Sequence, residues 1–202
     1  DWGNLTLGPV NMSLNAGTAE LHDAMVALEG SQIAACLAVG IREAPTYGSP
    51  AFLFQGNLKS YQSAPAGGMV MATATLSGDY AASPLQYSKP WGVVVHPLGT
   101  ETTQNTATAG TIIDNGAAST NGGYLFYDYT VLDGSLEGSV ALLEESADAA
   151  TWSTLILQPA LSAPAAGIIQ LAPGSTVKQY LRWQLGFDAG TTATFFLAFV
   201  RG

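Results

Sequence analysis

What this chain has little of narrows its chemistry first. Cysteine occurs once, as Cys36, so no internal disulfide can form and no cysteine cage for zinc or an iron–sulfur cluster is available. Histidine occurs twice, as His22 and His96, and neither sits in a cluster with metal-ligand spacing. Charged residues make up 10% of the 202 residues, against about 25% in an ordinary soluble domain. No run of eighteen or more apolar residues is present, so no membrane-spanning helix is expected and a membrane is not an expected partner. The opening Asp1-Trp2-Gly3-Asn4 lacks the basic start and apolar stretch of a signal peptide.

The charge that remains is lopsided. Six Lys plus Arg against fifteen Asp plus Glu give a formal net charge of −9. A surface that grips nucleic acid needs cations for the phosphates, so gripping is disfavoured, although an acidic surface suits DNA that must slide past. The weakly charged remainder, rich in Ala, Gly, Ser and Thr, is what a subunit covered by neighbours in a permanent assembly tolerates. A secreted adhesin shares that bias.

Short strand-like stretches separated by Gly, Pro, Asn and Asp run through the chain and point to an all-β protein with one short helix. The helix is expected over residues 18–30, where Leu21, Met25 and Leu28 share a face and Gly30 suits the end. Residues 51–62 alternate, with Phe52, Phe54 and Leu58 on the side expected to face the interior and Leu53, Gln55, Asn57, Lys59 and Tyr61 on the other. After the turn at 64–68, residues 69–77 alternate again, Val70 and Leu76 against Thr73 and Thr75, so the two runs should form a long hairpin. Residues 77–91, with Pro84 and Pro90, read as an extended loop. Residues 99–123 form a Thr/Ala/Asn/Gly-rich connector, and the boundary is expected within it: residues 1–112 an antiparallel β-sandwich with an assembly-forming hairpin, residues 113–202 a second small β-sandwich. Six strands are expected beyond it, at 124–132, 136–144, 154–157, 168–171, 177–187 and 192–201. The last, with Phe195, Leu197 and Phe199 on one face and Phe196, Ala198 and Val200 on the other, should be central or sealed by a partner.

Chemistry is sparse. There is no G-x-S-x-G elbow, Walker loop or dinucleotide fingerprint. His96 follows a Val-Val-Val run and precedes Pro97, a position that reads as a strand end. Glu144 and Glu145 are neighbours, which on a strand face opposite ways and cannot flank one glycosidic bond; a solvated strand end or turn is expected there. Asp114-Asn115-Gly116 and Asn121-Gly122-Gly123 carry oxygen donors without the spacing of a calcium loop and read as turns. Trp2, Trp91, Trp152 and Trp183 with Tyr124, Tyr127 and Tyr129 could offer a sugar-stacking platform, but burial is the commoner role of such residues. No catalytic residue, cofactor or metal site is expected.

Several stretches resemble the major tail, or tail-tube, proteins of long, non-contractile bacteriophage tails. In the first half these are residues 21–30, Pro45-Thr46-Tyr47-Gly48-Ser49-Pro50-Ala51-Phe52 and Ser60-Tyr61. In the second half they are Asp114 to Ala117 with Gly122-Gly123-Tyr124-Leu125, residues 144–155, residues 174–182 and the final Phe199-Val200-Arg201. The resemblance implies a virion structural protein, not an enzyme. Its long strands would join those of neighbouring copies in a ring, usually of six, and the rings would stack into a conduit for double-stranded DNA alongside other tail proteins. On that reading Gln55, Asn57, Lys59, Tyr61, Thr73, Thr75, Tyr80, Tyr87 and Trp91 belong to the assembly interface. The family's pattern has more strand sequence before the helix than residues 5–14 supply here. That departure sustains the alternatives of a capsid or tail decoration protein or a glycan-binding β-sandwich module.

Overall fold

The computed structural model describes residues 5–6, 27–40, 44–66, 69–78, 91–102, 108–136, 140–186 and 192–202. These are nearly all antiparallel β structure in two sheets, with almost no helix. Of the expected helix, residues 18–26 lie outside the described residues; Ala27 is helical and a turn follows at 28–30. The loop expected at 77–91 also lies outside them over 79–90.

In chain order the strands are β1 (Leu5–Thr6), β2 (Gln32–Ala38), β3 (Pro50–Ala66), β4 (Met69–Gly78), β5 (Trp91–Thr102), β6 (Thr108–Ala109), β7 (Ile113–Asp114), β8 (Gly123–Asp133), β9 (Ala141–Ser146), β10 (Ser153–Leu157), β11 (Ala165–Leu171), β12 (Tyr180–Leu185) and β13 (Thr192–Arg201). Contacts divide the chain into one unit of Asp1–Ala35 with Phe54–Gln86 and another of Cys36–Leu53 with Tyr87–Gly202. β5 lies before residue 112 in sequence, and it pairs with β13 from Thr102 opposite Thr192 to Val93 opposite Phe199.

In the first unit β4 pairs antiparallel with β3 from Gly56 opposite Gly78 to Ala66 opposite Met69, and β1 pairs with the other side of β4 at Leu76 and Thr75. Leu58 is fully buried, and its backbone is tied to the 28–31 turn: Gly30 N–H donates to its carbonyl at 2.7 Å and its own N–H donates to Ser31 O at 3.0 Å. The ladder shifts register between Leu58 and Ser60, the mark of an extra residue in one strand.

The second unit holds the larger core. Its first sheet runs β5-β13-β8-β11, with Pro50, Ala51 and Phe52 of β3 paired to Val93, Gly92 and Trp91 of β5. Its second sheet runs β10-β9-β12, and β6 and β7 pair with opposite ends of β12. Both sheets feed one core: Val95, Leu125, Tyr129, Phe195, Leu197 and Phe199 from the first, Leu142, Leu143, Ile156, Leu181, Trp183 and Leu185 from the second. A fully buried Leu or Phe side chain contributes about 1.5–3 kcal/mol. Ala51, Val94 and Ala198 form a small cluster of their own, with Cys36, Ala38 and Phe196 against it. β13 is thus buried on alternate sides and lies between β5 and β8, a central position that its two apolar faces anticipate.

Several expectations change. Phe52 does not line the interior; Ala51 and Leu53 do, because at the start of β3 the odd-numbered positions point inward. The 99–123 connector is partly strand, since β5 continues to Thr102 and β6 and β7 add to β12. The strand expected at 136–144 is displaced to β9, and Leu136 instead bridges Leu161.

Candidate functional site

The expected assembly residues fall on three parts of the fold. Lys59 is exposed and Tyr61 half-buried on β3, and Trp91, 57% exposed, opens β5 with its ring edge-on to Phe52 at 5.1 Å. Gln55 and Asn57 lie on β3 and Thr73 and Thr75 on β4, whereas Tyr80 and Tyr87 lie outside the described residues. The register shift sets which of these residues stand opposite one another. Asn57 stands opposite Ser77, but beyond the shift Tyr61 stands opposite Ala74, and Ser60 and Gln62 are the residues opposite Thr75 and Thr73. An extra residue reverses which neighbours share a face.

Of the aromatic residues of the sugar-platform alternative, Trp183, Tyr124 and Tyr129 are buried in the interior and Trp2 lies outside the described residues. Trp152 is half-buried beneath the Arg182 guanidinium, 4.2 Å from the ring centre, an arrangement that attracts a cation to the ring face.

Glu144 and Glu145 do not form a solvated end. They sit within β9, each with its own cation: Arg182 Nε donates to Glu144 at 2.7 Å, and Glu145 accepts the Lys178 backbone N–H at 2.9 Å with Lys178 Nζ 3.5 Å away. Neither faces the other across a cleft. Asp114 closes the expected turn, accepting from Gly116 N–H at 2.7 Å and from the Gln179 amide at 2.9 Å, bonds that lower its carboxyl pKa. Burial pushes the Cys36 thiol up to about 12, so it stays a protonated apolar side chain at neutral pH. Among the described residues no three His, Cys, Asp or Glu side chains come together as metal ligands.

Among the described residues, a buried titratable cluster that sequence reasoning missed lies around His96. It is not at a strand end but inside β5, 1% exposed. Phe195 stacks on its ring at 4.0 Å, and Trp183 and Tyr47 meet it edge-on at 4.9 and 5.9 Å. Its Nδ1 lies 3.2 Å from Phe195 O and its Nε2 3.1 Å from Glu101 Oε1. Burial lowers the His96 pKa, with Glu101 and the Phe195 carbonyl acting the other way. A spacing of five puts residues on opposite sides of a regular strand. Here β5 takes three residues, His96 to Gly99, where β13 takes two, Leu197 to Phe195, and the extra one brings Glu101 round to the His96 side. Pro97 inside an otherwise strand-like run was the available signal, since proline within a sheet marks edges and bulges.

Comparison with family models, with curated proteins and with solved structures gives no match. The functional reading therefore rests on the chain's own residues.

Proposed function

We propose that this chain is a virion structural protein, a tail-tube subunit whose copies close into rings and stack into a conduit for phage DNA. The observation that carries the reading is the hairpin of β3 and β4. It pairs over ten residue positions from Gly56 to Ala66 and falls in a contact unit separate from the large core. Two-stranded ribbons are marginal alone and need further strands or a covered face. β1 adds two residues beside β4 and β2 pairs with the other side of β3, and strands from neighbouring copies would extend this sheet and close its edges. The two sheets over one core in the second unit read as a β-sandwich that supports the ring. Low charge suits surfaces covered by other copies, and the −9 balance suits a lumen that repels phosphate. The glycan-binding alternative is weakened because three of its aromatic residues are interior.

Particle imaging of purified full chain, with mass photometry across a concentration series, tests this. Rings or hollow tubes are expected. Monomers alone, persisting to high concentration, would overturn the assignment.

A further inference from the structure

A neutral imidazole carries one N–H, so it donates at one nitrogen and accepts at the other. His96 has an acceptor at both. The Phe195 carbonyl can only accept, and an ionised carboxylate can only accept, yet they face Nδ1 and Nε2 at 3.2 and 3.1 Å. Both contacts are satisfied together only when the pair holds one proton more than neutral histidine plus carboxylate.

We propose that His96 and Glu101 bind that proton as a unit and form a latch, which ties the far end of β5 through the His96 ring to the β13 backbone while the proton is present and gives up one of its two contacts when it leaves. The bulge between His96 and Gly99 exists on the same stretch and is what aims Glu101 at the ring. Beyond it, Glu101 and Thr102 lead directly out of β5, so the latch governs the last residues of the strand. Glu101 is 29% exposed in its side chain and His96 2%, which gives the proton a path to solvent through the carboxylate.

The surroundings leave Glu101 in control. Of the elements packed on His96, β12 presents the Trp183 ring, β13 the Phe195 ring and carbonyl, and the 44–49 turn the Tyr47 ring. Burial raises the Tyr47 phenol, which therefore stays neutral through the range where histidine titrates. Glu101 is the one charged group acting on His96 among the described residues. Loss of the proton leaves a single N–H for two acceptors, so one ring nitrogen turns its lone pair on either the Phe195 carbonyl or the Glu101 carboxylate and one of the two contacts turns repulsive.

NMR of the full chain tests the latch, in solution or by magic-angle spinning for assembled material, with His22→Gln used to assign the two imidazoles. The Glu101 carboxyl carbon signal is expected to change together with the His96 ring signals, with both ring nitrogens protonated on the acid side of the His96 transition. In Glu101→Gln the amide can donate to neutral Nε2, so the His96 midpoint should fall by about one pH unit. A Glu101 signal that is flat through the His96 transition, or an unmoved midpoint in Glu101→Gln, overturns the proposal. Should Glu101→Gln not fold, the co-titration in the native chain decides alone.

Discussion

Single positions in this chain are set by two different demands on glycine. Gly92 in β5 stands opposite Ala51, and a Cβ there would lie 2.1 Å from Phe199 O and 2.7 Å from Val200 Cα. Those are backbone atoms of β13, so no rotamer change relieves the overlap; the strands must part. Gly116 has open space around it but a φ of +79°, where a side chain costs about 1–2 kcal/mol from local sterics alone. Gly92→Ala is expected to cost at least about 3 kcal/mol, at the upper end for overpacking, and Gly116→Ala about 1 kcal/mol. Urea denaturation of both variants separates the two effects. Equal losses would mean that β13 yields at Gly92 and that the close approach is not a constraint.

At the scale of elements, turns carry as much instruction as strands. The connection from β9 to β10 is organised by Asp148, whose Oδ1 accepts from Thr151 N–H at 2.7 Å, Ala150 N–H at 2.9 Å and the Ser146 hydroxyl at 2.8 Å. The Thr151 and Ala150 amides, followed by the Ser146 hydroxyl, hold its carboxyl pKa well below the usual range. A carboxylate depressed in the folded state stabilises it fully above the unfolded pKa of about 3.9 and loses that contribution as pH falls toward the folded value. Asp148→Asn should therefore melt below the native chain at pH 7, and the gap should narrow steadily from about pH 4 downward. A gap that holds constant into strong acid would assign the turn's stability to its neutral bonds instead.

Strands and turns were legible to different degrees for physical reasons. β13 was readable to its ends because both of its faces carry apolar residues, and β8 because Gly123 and Gly134 bound a run rich in aromatic and β-branched residues. β2 was not, since Gln32–Ala38 is mostly small residues without alternation, and β5 was hidden by Pro97. Pairing of β5 with β13 joins residues 90 to 106 apart in sequence, and no local pattern encodes a partner at that distance. The His96 and Glu101 pair needed the bulge, and the cross-strand partners on the hairpin needed the shift at Leu58; in both, one extra residue inverts what plain alternation gives.

Across the whole molecule, one number opposes the proposed assembly and makes it testable. Each copy carries −9 at pH 7, so like-charged copies repel as they approach, over a range set by the Debye length of about 10 Å at 0.1 M salt and about 3 Å at 1 M. Association driven by strand pairing and apolar contact gains when this repulsion is screened. Association driven by ion pairs across the interface weakens instead. With only six cations against fifteen acids, the first case is expected. The assembled fraction at fixed protein concentration should rise as salt increases from about 0.05 to 0.5 M, read by sedimentation velocity. A fall over that range would place Lys59 and the few other cations in the interface, and the neutral-edge account of ring closure would have to be abandoned.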